Sequence, residues 1–69
     1  MPLASMDVGA RRRIRGVTGD DAMRKHLGAL GFAEGVEVEI VNKVAGNLII
    51  GVMGSRVAVD GRLAMRILV

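Results

Sequence analysis

The passage Leu27-Gly28-Ala29-Leu30-Gly31-Phe32-Ala33-Glu34-Gly35 runs directly into alternating apolar residues, and it constrains the fold more than any other segment. It predicts a short helix stopped at Gly31, a tight turn closing at Gly35, and then a β-hairpin. Glycine takes the left-handed conformation that ends helices, and Phe32 can fold back onto the last turn. Upstream, Asp20 or Asp21 is a suitable N-cap, accepting the free amide protons of the first turn. Met23, Leu27 and Leu30 follow at i, i+4 and i+7, which is one face of a helix.

Strands account for the rest. Val36, Val38, Ile40, Asn42 and Val44 alternate with Glu37, Glu39, Val41 and Lys43, the clearest period-two pattern in the chain. Ala45-Gly46-Asn47 predicts a turn and Leu48 to Met53 the returning strand. Gly54-Ser55 turns again into Arg56 to Val59, where Asp60-Gly61 breaks the pattern. Leu63 to Met65 fits one helical turn, and Arg66 to Val69 fits a final short strand. Before the helix, Ala10 to Val17 alternates weakly but contains Ile14 and Val17, both suited to a strand. Leu3 and Met6 can tuck against the body. The expected architecture is a mainly β single domain over residues 1–69. It is a small five-stranded barrel with one short α-helix between strands 1 and 2 and a helical turn before the last strand. Closing the sheet would remove its exposed edges.

Sixty-nine residues are close to the lower limit for a domain without staples, and no cysteine is present to supply disulfides or thiolate ligands. Hydrophobic residues make up 51% of the chain with a single aromatic, so the core must be aliphatic. No stretch approaches the ~20 apolar residues that span a bilayer, and the first residues lack the basic and apolar regions of a signal peptide. The expectation is a soluble protein whose role at a membrane comes only through a partner. Its net charge of +3 is local. Setting aside Arg11, Arg12, Arg13 and Arg15 leaves six basic and seven acidic side chains, a net of −1.

Catalysis finds no support. Ser5, Thr18 and Ser55 share one histidine as the only candidate base, and Gly28, Gly31 and Gly35 form neither a dinucleotide fingerprint nor a P-loop. Metal binding is weakly represented. His26 stands beside Arg24 and Lys25, a repulsive setting for a cation, and the helical wheel puts it at the half-buried border of the apolar stripe. Glu37 and Glu39 share a strand face with Glu34 nearby, a set of hard oxygen ligands for a weak Fe²⁺ or Zn²⁺ site on what is otherwise a solvated face. No cofactor is required. The arginine cluster could contact phosphates, yet single-strand binders add aromatic stacking platforms and this chain offers only Phe32. Arg11, Arg13 and Arg15 fit better as an edge that resists strand pairing or as a patch for an acidic partner.

Protein docking is the remaining class. Val41, Ile49 and Met53 have the opposite parity to the core residues of their strands, and methionine adapts well to partner surfaces. Leu27, Leu30 and Phe32 could instead form a docking face at the helix end. The competing reading puts all six in the core, where a small barrel needs its aliphatic residues.

The ordered elements Leu3, Gly9, Ile14, Leu27…Leu30-Gly31-Phe32…Gly35, Val36, Val38, Gly54…Val57-Ala58-Val59 and Ala64…Ile67…Val69 resemble the FeoA family over the whole chain. Glu34 stands where the family often has proline, and Leu63 where it often has an acidic residue. The resemblance implies an SH3-like barrel and a non-enzymatic accessory of bacterial ferrous-iron uptake. The implied partner is the FeoB-type membrane permease, which carries a cytosolic G-protein domain. Transition-metal binding is a label the family also carries. Two alternatives stand beside it: a small nucleic-acid-binding barrel, and a metal-sensing module like the C-terminal domain of iron-dependent repressors.

Overall fold

Two antiparallel sheets meet at a break in what the sequence suggests is one first strand. The computed structural model describes residues 1–69. Its elements are a 3₁₀ turn at Leu3–Ser5, β1 (Arg11–Arg13), β2 (Gly16–Val17), α1 (Asp21–Ala29), β3 (Glu37–Val44), β4 (Asn47–Val52), β5 (Ser55–Asp60), α2 (Gly61–Ala64) and β6 (Ile67–Leu68). The larger sheet has the order β1-β3-β4-β5 and the smaller one pairs β2 with β6. The five-stranded closed barrel expected from the sequence is therefore replaced by six strands in two open sheets.

The reason lies at Ile14 and Arg15. The Ile14 amide donates to the Val36 carbonyl at 2.8 Å, beside the β1–β3 ladder, while the next amide, Arg15, donates to the Leu68 carbonyl at 2.7 Å. One peptide step moves the chain from the large sheet to the small one. Ile14 stays buried between them, whereas all three arginines of β1 are exposed. The last strand does pair with the first segment, as β2 with β6, and the N-terminus is drawn in beside it. Pro2 bridges Leu68, and Met1 and Val69 exchange two hydrogen bonds.

The helix forms where the apolar spacing places it. Asp20 caps it, its carboxylate accepting from the Met23 amide at 2.8 Å. Gly31 ends it at φ +100°, and the Phe32 amide turns back to the Leu27 carbonyl. Asp20→Ala removes one satisfied amide from the first turn, a loss of about 1 kcal/mol. In a chain of this size the expected melting temperature falls by roughly 4–8 °C, which thermal circular dichroism can read. Asp20→Asn, which caps equally well, should leave it near the wild-type value.

β3 obeys its alternation only as far as Ile40. The register passes from Ile40↔Ile50 to Asn42↔Ile49, so Val41 is the extra residue of a β-bulge. The bulge reverses the parity beyond it. Asn42 and Val44, expected on the core face, are exposed. Both hairpin turns are two residues long with positive φ at each position, Ala45-Gly46 and Met53-Gly54, the geometry that matches the twist of paired strands. Met53 thus belongs to a turn and not to the end of a strand. Asp60 caps α2 by accepting from the Leu63 amide at 2.9 Å. Thirteen hydrophobic residues form one core with no buried polar side chain, and Leu3 and Met6 are among them.

Candidate functional site

The outer face of the large sheet is built by strand alternation. Leu48, Ile50 and Val52 point into the core, which turns Ile49 and Gly51 outward. Across the four strands the register aligns Arg11 with Glu39, Glu39 with Gly51, and Gly51 with Arg56. A neighbouring row sets Arg13 against Glu37. The result is a groove of about 380 Å³ floored by Gly51 and Val41 and walled by Arg11, Glu39, Met53 and Arg56. Gly51 creates the depression. A Cβ there would lie 3.5 Å from Val41 Cγ2, within ordinary contact, so the missing side chain opens space without strain.

The charges around the groove are only loosely committed. Arg11 meets Glu39 at 3.4 Å, with both side chains substantially exposed. Such a pair contributes about 0.2–1 kcal/mol and exchanges readily for a better partner. Arg13 is spent differently, donating to the Gly35 carbonyl at 2.7 Å and pinning the turn before β3. Arg12 donates to the Arg11 carbonyl. Arg15 lies exposed at the crossing between the sheets. Arg11, Arg12 and Arg13 are thus engaged with three different partners.

The six apolar candidates separate cleanly. Leu27 is 0% and Phe32 1% exposed, so both are core residues and offer no surface to a partner. Leu30 is half-buried at the helix end, and Val41 and Ile49 are half-buried on the outer sheet face. Met53 is 74% exposed. A Cβ on Gly31 would sit 3.2 Å from Met53 Cγ, so the Met53 turn lies over the end of α1. The helix end and the second hairpin, separate candidates in the sequence, form one continuous surface. Gly51 and Arg56 were missed as lining residues. The parity of Leu48 to Val52 and the turn before Ser55 carried the signal that places both on that face.

The residues proposed as metal ligands do not converge. No group of three or more His, Cys, Asp or Glu residues is positioned to hold an ion. Glu39 is paired with Arg11, Glu37 faces Arg13, and Glu34 is an exposed turn residue. His26 is fully on the exposed side of α1, not at its half-buried border, because the core takes only Leu27 from that turn. This donor set does not fit a transition-metal site.

The open two-sheet frame and the helix between β2 and β3 define a small SH3-like domain. The FeoA domain model matches residues 1–69, and the chain belongs to the FeoA family, which is linked to ferrous-iron transport. It is similar to an iron uptake regulatory protein (FeoA) of known crystal structure, with 26% identity and a TM-score of 0.90 over 97% of this chain and 91% of the other. It also resembles zinc-complexed FeoA from Stenotrophomonas maltophilia, described as a prokaryotic SH3 domain protein. The identity there is 27% and the TM-score 0.85, over 99% of this chain and 87% of that one. A manganese-dependent transcriptional repressor shares the fold at 14% identity and a TM-score of 0.84, this chain covering 97% of itself and 39% of the repressor. No curated protein matches the chain. No helix is long and apolar enough to cross a membrane.

Proposed function

We propose that this protein is a non-enzymatic accessory of ferrous-iron uptake that docks on the cytosolic part of the FeoB-type permease through the outer face of its large sheet. The observation that carries the reading is the groove over Gly51, an apolar floor between exchangeable charges with the exposed Met53 at its rim. None of the chain's own elements covers it. Family membership supplies the transport setting, and the sheet supplies the surface. Docking regulates the permease by favouring one of its conformations or assemblies, since only differential binding shifts such an equilibrium. The G-protein domain is the soluble target this predicts, and docking on it would bring a cytoplasmic protein to the inner membrane.

Gly51→Val tests the groove. The added Cβ meets Val41 Cγ2 at ordinary distance and valine suits a strand, so the expected outcome is a folded variant. Filling the floor of the groove should weaken binding to the permease's cytosolic part by about tenfold or more, as loss of a central contact does. Calorimetric titration reads the affinity and thermal melting reads the fold. Unchanged affinity in a folded variant moves the docking surface elsewhere.

Nucleic-acid binding is less well supported, because the single aromatic residue is buried and offers no stacking platform. A metal-sensing role shares only the fold with the repressor and lacks a ligand cluster.

A further inference from the structure

The large sheet has two free edges, β1 and β5, and they differ in what a second strand would meet. On β1 the three residues are Arg11, Arg12 and Arg13. A second copy pairing antiparallel about Arg12 would set Arg11 against Arg13 at both ends, like charge against like. Edges of that kind resist pairing.

β5 has the opposite character. Its two-residue turn with β4 makes Val52 and Ser55 a hydrogen-bonded pair. Alternation then directs the peptide groups of Val57 and Val59 toward Ile50 and Leu48, and those of Arg56, Ala58 and Asp60 away from the sheet. Arg56, Ala58 and Asp60 are exposed, and no strand lies beyond them. Read antiparallel about Ala58, the strand Ser55-Arg56-Val57-Ala58-Val59-Asp60 is complementary to itself: Arg56 falls opposite Asp60 at both ends, with the small Ala58 facing Ala58 at the centre.

We propose that β5 pairs antiparallel with β5 of a second copy of this chain, joining two four-stranded sheets into one of eight strands. The two Ala58 residues exchange both of their N–H···O bonds, and each Arg56 carbonyl accepts from the Asp60 amide of the other copy. The Asp60 carbonyl is already engaged as the first acceptor of α2. Its carboxylate caps α2 through Oδ1, which leaves Oδ2 for the opposing Arg56 guanidinium. A strand of six residues spans only ~20 Å, so the pairing buries little area and the dimer is weak and concentration-dependent. The two outer faces become continuous, setting two Gly51 grooves on one sheet.

Sedimentation velocity on the full chain from about 10 μM to about 1 mM, with amide hydrogen exchange at both ends of that range, tests the pairing. The expected result is a shift from monomer to dimer, with protection of the Ala58 amide rising about tenfold or more at the higher concentration. Arg56→Glu places like charges at both ends and should raise the dissociation constant about tenfold or more. Asp60→Asn keeps the helix cap while removing the charge, and should raise it several-fold. Both positions are exposed, so circular dichroism should report an unchanged fold. A chain that stays monomeric at the highest concentration overturns the proposal. So does a dimer whose affinity Arg56→Glu leaves unmoved.

Discussion

Phe32→Ala should unfold this protein, not yield a folded domain with a weakened partner site. Phe32 is the only aromatic residue, is 1% exposed, and seals the end of α1 against the core. Truncating a buried phenylalanine costs about 3–5 kcal/mol through lost transfer energy and the cavity left behind. A chain of 69 residues holds only roughly 3–10 kcal/mol of total stability. The melting temperature should therefore fall by roughly 15–30 °C, with loss of amide dispersion at ambient temperature. Melting near the wild-type value, combined with lost permease binding, would return Phe32 to the docking surface.

Gly31→Val should destabilise the protein by roughly 2–4 kcal/mol, because two costs add at one position. At φ +100° any side chain is strained, and a β-branched one more so. The new Cβ would also lie 3.2 Å from Met53 Cγ and 3.4 Å from Val52 Cγ2. Met53 is exposed and can move aside, whereas Val52 is buried and cannot. Adding Met53→Ala should relieve only the first contact and leave most of the loss, so the double variant should melt close to Gly31→Val. Full recovery in the double variant would show that side-chain crowding, not backbone conformation, sets the requirement for glycine.

The helix and both hairpins were legible because each is marked by local chemistry. Asp20 caps, Gly31 stops, and glycine occupies the second position of each two-residue turn. What escaped the sequence is non-local or unmarked. The bulge at Val41 introduces a residue as apolar and β-branched as its neighbours, so nothing in the alternation shows where parity reverses; Asn42 and Val44 were placed on the wrong face for that reason. The break at Ile14 and Arg15 is set by two different partners, Val36 just before β3 and Leu68 in β6, that only the tertiary structure brings near. Met53 reads as the end of an apolar strand, although its position before Gly54 fits a turn just as well. At the candidate site the same rule holds. The stripe Met23, Leu27, Leu30 shows which face is apolar but not how deep each residue lies, and depth removes Leu27 and Phe32 from the surface while leaving Leu30 and Met53.

The most direct measurement is a titration of the isotope-labelled protein with the soluble G-protein domain of the permease, followed by backbone amide shifts. Docking on the outer sheet face predicts shifts that cluster at Arg11, Glu39, Val41, Gly51, Met53 and Arg56 and that vanish in Gly51→Val. Shifts confined to β2 and β6, or none at saturating domain concentration, would contradict it.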